Sequence, residues 1–246
     1  MHKEVKKSWA LFLGIGTMMI AHGLQMQIMG IRSVLEDFSV LTTGIFMSGY
    51  YFGYFVGSKT TPNLVQKVGH IRVFAAFASL ASLSALVAVA YVNPFMWTIS
   101  RFITGISLVS CYVVSESWLN DRATNKNRGQ LLSAYMIVLY LGLSIGMLLL
   151  NFSEPKAYEP FILVSVLLSL ALVPILLTKR PAPKFKKIGT ISIQELYEIS
   201  PLGSVSSFAT GMIHAAFFSL ISVYATKAGF TLLETSILLF IATLAG

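Results

Sequence analysis

Arg101 stands in an apolar stretch running from Phe95 to Leu119, where a cation has nothing obvious to pair with. A guanidinium at the middle of a membrane helix costs about 3 kcal/mol on insertion scales. It must therefore reach headgroups, meet a partner, or face a cavity in which it can bind a solute. It lies six residues in from Phe95, roughly 9 Å of helix, so snorkelling to the outer headgroups and a cavity-lining role are both open. Glu116 falls about 22 Å further along, close to Arg122 and Arg128, and suits a structural ion pair better than solute binding. His22 and Gln25 share one face of the first apolar stretch, while Gln27 turns away. An offset of 192 residues places Ser8 on Ser200 and His22 on His214. An imidazole titrates near neutral pH, so His22 and His214 are candidates to take up and release a proton. Interhelical hydrogen bonding is the simpler use of either one alone.

Other chemistries are missing from the sequence. It contains no HExxH, no glycine loop with a following lysine to cradle phosphates, and no pair of carboxylates inside the apolar stretches. The single Cys111 excludes an internal disulfide and a cysteine-rich metal site. The expectation is a protein that is not an enzyme and that needs no cofactor or metal.

The elements that position these residues follow from hydropathy. Of 246 residues, 55% are hydrophobic and 11% charged, with a mean hydropathy of +0.75. That composition belongs to polytopic membrane proteins. A span needs about 20 mostly apolar residues. Seven such runs occur: Trp9 to Ile31, Phe38 to Ser58, Val73 to Val92, Phe95 to Leu119, Gln130 to Phe152, Pro160 to Thr178 and Pro201 to Thr226. An eighth begins near Leu232 and is cut short at Gly246. The first carries Lys3, Lys6 and Lys7 ahead of it but no small-residue cleavage site, so it reads as a membrane helix rather than a signal peptide.

Charge then sets the orientation. Fourteen of the 18 lysines and arginines fall on one side: Lys3, Lys6, Lys7, Lys59, Lys67, Arg72, Arg122, Lys126, Arg128, Lys179, Arg180, Lys184, Lys186 and Lys187. The other side has Arg32, Lys156 and Lys227. The positive-inside rule puts the N-terminus in the cytoplasm. The net charge of +8 is thus explained by topology and anionic lipid headgroups, not by nucleic acid. The longest gap, 179–200, reads as a cytoplasmic linker between two bundles, and Ile191 to Ile199 within it as a short helix on the membrane surface. Gly49, Gly53 and Gly57 form a small-residue stripe on the second helix, and Gly142 with Gly146 repeats it on the fifth. Tyr50, Tyr51, Tyr54, Tyr135 and Tyr140 either line a cavity or pack at interfaces.

Six spans, a basic linker and a new set of spans resemble the plan of the major facilitator superfamily. Gly57 through Lys67-Val68-Gly69-His70-Ile71-Arg72 resembles its loop motif, with Gln66 where the family has an acidic residue. Arg101-Phe102-Ile103-Thr104-Gly105 resembles its arginine and glycine motif. Glu116-Ser117-Trp118 through Asn127-Arg128-Gly129-Gln130-Leu131-Leu132-Ser133-Ala134-Tyr135-Met136 looks like the YcaD-like bacterial branch. Gly142 and Gly146 match an antiporter glycine motif only in part, because no proline follows.

The resemblance implies an all-α bundle of twelve helices in two halves around a cavity that opens to either face in turn. Residues 1–178 would be the N-terminal six-helix bundle, 179–200 the linker, and 201–246 the start of the second bundle, whose remainder is required in cis or as a partner chain. It implies secondary active transport of a small solute across the bacterial inner membrane, coupled to protons. Arg101, His22, Gln25 and His214 would be the cavity residues. Glu116, Arg128, Arg72, Lys67 and Gly69 would form a cytoplasmic gate that latches the halves in one state. Gly49, Gly53, Gly57, Gly105, Gly142 and Gly146 would serve helix packing. The rival readings are a transporter-like sensor or scaffold without net flux, a membrane-embedded enzyme, and an inert piece of a transporter.

Overall fold

The computed structural model describes residues 8–178 and 192–245. Lys3, Lys6, Lys7, the five basic residues from Lys179 to Lys187, and most of the expected linker lie outside them. The described residues form ten α-helices and no strand. These are α1 Trp9–Leu35, α2 Val40–Val68, α3 His70–Ala90, α4 Pro94–Arg122, α5 Arg128–Leu149 with a 3-10 turn Leu150–Phe152, α6 Glu159–Leu170, α7 Leu172–Leu176, α8 Ile193–Ile199, α9 Pro201–Lys227 and α10 Leu232–Ala245.

Six helical runs are long and apolar enough to cross a membrane: α1, α3, α4, α5 with its 3-10 turn, α6 with α7, and α9. The chain is a polytopic membrane protein. The helix α2 has the length but is less apolar than these. It runs ten residues beyond the expected Ser58, and buries Thr43, Tyr50, Gly53, Gly57 and Thr61 against other helices.

Local chemistry sets the helix ends. Ser39 accepts a hydrogen bond from the Thr42 N–H at the start of α2, and Asn93 does the same for Met96 ahead of Pro94 in α4, each satisfying a donor that the first turn leaves open. Gly69 separates α2 from α3 at φ +87, a backbone conformation that side chains disfavour. The expected sixth span is a broken helix. Pro174 has no N–H for the Leu170 carbonyl, and its ring crowds that oxygen, so α6 ends at Leu170 and α7 resumes beyond Ala171. The short α8 begins after Ser192, where Ser192 and Glu195 form a reciprocal capping box.

Two backbone-close seams hold the first six spans together. In one, Gly53 and Gly105 bring α2 and α4 so near that a Cβ on Gly53 would meet the Phe102 carbonyl, and one on Gly105 the Tyr50 carbonyl. Gly49 faces the Thr98 carbonyl and Gly57 faces Ile106 and Val109 in the same seam. The other seam joins α1 to α5, with Gly146 against the Ile20 carbonyl, Gly142 against that of Gly16, and Gly23 against that of Leu143. Lipid gives apolar helices no hydrophobic reason to associate, so close packing of this kind must do it. Around the seams, α3 packs on α4 and α6, and α6 also meets α1.

The last two helices touch the rest unevenly. From Pro201 to Ile213, α9 is exposed apart from a half-buried Ser204, whereas Ser219, Ser222, Val223 and Ala225 are buried. Its second half lies on α1, where Gly30 faces Ser222. The helix α10 lies on α5, with Leu239 packed among Met19, Met26, Leu143 and Met147.

Gly105→Ala is expected to lower stability by about 2 kcal/mol, the usual scale of overpacking against backbone. Gly44→Ala, which meets nothing within 4 Å, should leave the protein unchanged or slightly firmer. Thermal melts of the two variants in detergent check this.

Candidate functional site

The centre of the site is a charge with no opposite charge beside it. Arg101 is 1% exposed, and its Cζ lies 4.7 Å from the centroid of the Tyr50 ring. Its Nε and Nη1 are buried without a hydrogen-bond partner. The snorkelling reading is therefore wrong, because α4 turns this side chain into the bundle and away from the headgroups. In this conformation the residue also lines no open cavity, since Tyr50 covers it. A desolvated cation–π contact contributes about 2 kcal/mol, while burying an ion costs several kcal/mol. Tyr50 thus offsets only part of the cost.

Tyr50 is the shared contact of the cluster. Its ring stacks on His22 at 5.4 Å and 21°, so α1 and α4 meet the same residue of α2. His22 is 5% exposed, and its Nδ1 is buried without a partner. One turn along α1, Gln25 Nε2 donates to Thr104 Oγ1 at 3.5 Å. Thr104 in turn donates to the Ser100 carbonyl at 2.9 Å and lies 2.8 Å from Ser84 Oγ, tying α1, α3 and α4 together beside Arg101. From Tyr50 an aromatic row runs outward, to Tyr51 at 5.1 Å and Tyr54 at 6.1 Å, and from Tyr54 to Tyr112 at 6.3 Å. Tyr54 is 37% exposed.

Three of the four expected cavity residues are thus brought together. The fourth, His214, is exposed on α9 and packs at 5.4 Å on Phe218, apart from the Arg101 cluster. The repeat offset that paired it with His22 marks equal places along two helices, and equal places need not converge. The helices do meet nearby, where the Tyr51 hydroxyl donates to the Ala215 carbonyl at 3.4 Å. Gln27 lies off this face, and its Nε2 donates to Ser236 Oγ of α10 at 2.6 Å.

The expected gate is not assembled in this conformation. Glu116, Lys67, Arg72 and Arg128 are all exposed, and among the described residues Glu116 forms no ion pair with any of them. Polar contacts on that face include His70 Nε2 at 3.0 Å from Ser117 Oγ, next to the Gly69 turn, and Arg122 Nη1 donating to Ser8 Oγ at 3.4 Å. At the opposite face Arg32 is tied down, with its Nε 3.2 Å from Glu36 Oε1 and its Nη1 donating to the Ala157 carbonyl at 3.2 Å.

Sequence reading missed Thr104, Ser84 and Tyr112, and gave Tyr50 no special place among the tyrosines. A signal existed for Thr104, which stands three residues after Arg101 on the same helical face. None existed for Tyr50, whose role comes from the α2–α4 seam.

The family model for the Major Facilitator Superfamily matches residues 11–246. Among curated relatives, the MFS-type transporter YcaD of Escherichia fergusonii is 25% identical over 196 residues, covering 79% of this chain and 51% of that protein. Its counterpart in Escherichia coli K12 is 26% identical over 198 residues, with the same coverage. The chain therefore spans about half the length of the curated relatives it matches. Among solved structures, the nucleoside transporter NupG (D323A mutant) aligns with a TM-score of 0.72 at 13% identity, over 97% of this chain and 65% of that one. The D-xylose-proton symporter aligns with a TM-score of 0.66 at 13% identity, over 96% and 65%. At these identities the likeness is one of fold.

Thr104→Val removes the hydroxyl that Gln25 and Ser84 share. It should destabilise the protein by about 1–2 kcal/mol, because buried polar groups lose their partner. A fall in melting temperature, with no such fall in Thr98→Val, is the expected result.

Proposed function

The chain belongs to the Major Facilitator Superfamily, and from that membership we propose that the protein is a secondary active transporter. It moves a small solute across the bacterial inner membrane by alternating access, with the N-terminus and basic face in the cytoplasm. The observation that carries this reading is the uneven contact between the first six spans and the two that follow. At the opposite face the two sets are sealed by Gln27 with Ser236 and by Gly30 with Ser222. At the basic face the first half of α9 is exposed apart from its contact with α8, where Ser204 Oγ donates to the Leu196 carbonyl at 3.2 Å, and Glu116 is unlatched. A seal on one side and an unlatched gate on the other is the arrangement of an inward-facing state. In the outward-facing state the seal opens, and the carboxylate of Glu116 pairs with Arg128 or Arg72, with Lys67 and the Gly69 turn beside them. A pair formed in one state only biases the equilibrium by its differential energy.

Proton coupling rests on His22, the titratable imidazole against Tyr50 and Arg101. His214 serves the second half in the same way once that half is complete. The D-xylose-proton symporter shares the fold, which supports a proton as the coupling ion. The partners are then a small solute, protons, the lipid bilayer and the rest of the C-terminal half.

Two outcomes check the reading on the complete gene product in proteoliposomes, with labelled benzoate, phosphate, D-xylose and uridine as solutes. First, the pair Gln27→Cys and Ser236→Cys should cross-link on oxidation. Flux should then fall by about tenfold or more, since the seal can no longer part, and reductant should restore it. The native Cys111 is buried and gives a clean background. Unchanged flux through a fully cross-linked protein, or no flux of any solute in the wild type, contradicts the proposal. Second, His22→Gln keeps the volume but cannot titrate. It should leave downhill flux in place while removing the response to an imposed pH gradient; a full response in that variant excludes His22 as the coupling group.

A further inference from the structure

The spans bury a cationic charge in their middle, while their carboxylates lie toward the helix ends. From Phe38 to Ser115, which covers all of α2 and α3 and most of α4, there is no Asp or Glu, and α1, α5 and α9 contain none either. The acids of the described residues sit at helix ends and turns: Glu36, Asp37, Glu116, Asp121, Glu154, Glu159, Glu195, Glu198 and Glu234. No carboxylate of these helices can reach Arg101 at its depth in the bundle, and the structure shows the consequence. Two guanidinium nitrogens are buried with no acceptor, and His22 Nδ1 is unpartnered against the same Tyr50 ring. Buried charges in folded proteins are paired, and an unpaired one held in a packed site marks a place where a partner arrives from outside. Arginine is the residue suited to that partner, because its planar fork of donors matches the oxygens of a carboxylate or phosphate.

We infer that the solute carries an anionic oxygen group, a carboxylate or a phosphate, and that Arg101 pairs with it once the Tyr50 ring moves off the guanidinium. This rests on the transport reading above. The path is the aromatic row, from the accessible Tyr54 inward to Tyr50. Those ring faces suit the apolar body of an organic anion, so a carboxylate on an aromatic or aliphatic frame fits better than inorganic phosphate. His22 flanks the site and offers its Nδ1 to the same group. The site recognises charge, and neutral sugars and nucleosides have nothing to give its cation.

The test uses the complete gene product and does not begin from a known substrate. Arg101→Met removes the charge and the orphaned donors while keeping most of the volume. With no ligand present it should melt higher than wild type, by about 3 °C or more, as expected when a functional cation held without a partner is removed. An unchanged or lower melting temperature means that a counter-charge already satisfies Arg101, and overturns the inference. Melts are then run with matched pairs: acetate and acetamide, benzoate and benzamide, glucose 6-phosphate and glucose, with inorganic phosphate alone.

At least one anion should raise the melting temperature of wild type while its neutral partner does not. The rise should vanish in Arg101→Met and persist more weakly in Arg101→Lys, which keeps charge but loses the fork. A benzoate response assigns a carboxylate, and a response to glucose 6-phosphate or phosphate assigns a phosphate. A neutral compound that stabilises wild type and Arg101→Met equally, or silence from every anion, overturns it. Flux separates the two readings. Anion binding without uptake removes the transport reading and leaves the site standing. Uptake of a neutral solute that survives in Arg101→Met removes the anion and leaves transport standing.

Discussion

Close approach of backbones at glycine is the constraint on which the rest of this molecule depends. In lipid, apolar side chains gain nothing by leaving one greasy surroundings for another, so helices stay together through contact and hydrogen bonding. Here α2 lies against α4, and α1 against α5, at distances only a missing Cβ allows. The two seams have the same construction, a glycine from each helix set against a carbonyl of the other. Gly105 against the Tyr50 carbonyl is also what sets the Tyr50 ring over Arg101. The packing contact and the functional contact therefore share one residue, so a change in the α2–α4 spacing alters the cover on the charge.

From that spacing follows an unusual electrostatic centre. The bundle buries one guanidinium against aromatic rings and gives it no carboxylate, although the Thr104, Ser84 and Gln25 network beside it is satisfied. The contrast is informative. Packing can satisfy polar groups at this depth, and it does so for neighbours one turn away. Other buried polar atoms of the described residues also lack partners, His22 Nδ1 and Ser107 Oγ among them, but Arg101 is the charged group in that set. The buried cation also accounts for an aromatic cover, since a ring face attracts a cation.

The second axis of the molecule is its asymmetry between faces. Lysine and arginine crowd one face, where Glu116, Lys67, Arg72 and Arg128 are exposed and, among the described residues, form no ion pair with one another. The other face has few charges, but Arg32 there is held by Glu36, Ala157 and the Phe161 ring, and Gln27 is held by Ser236.

The sequence alone determined the membrane class, the broken charge symmetry of the loops and the small-residue stripes. These are one-dimensional properties: hydrocarbon thickness fixes the run length, and helix periodicity fixes which glycines share a face. It also singled out Arg101, His22 and Gln25, because charged and polar groups in an apolar run are costly enough to stand out. Tertiary structure alone decided what those residues touch. Arg101 could have snorkelled or faced water, and only the rotation of α4 against α2 put it under Tyr50. His214 holds the same helical place as His22 but stands elsewhere, because position along a helix does not set the azimuth of that helix in the bundle. The Gln27–Ser236 seal joins residues more than two hundred apart in sequence, and no local pattern carries such a pairing.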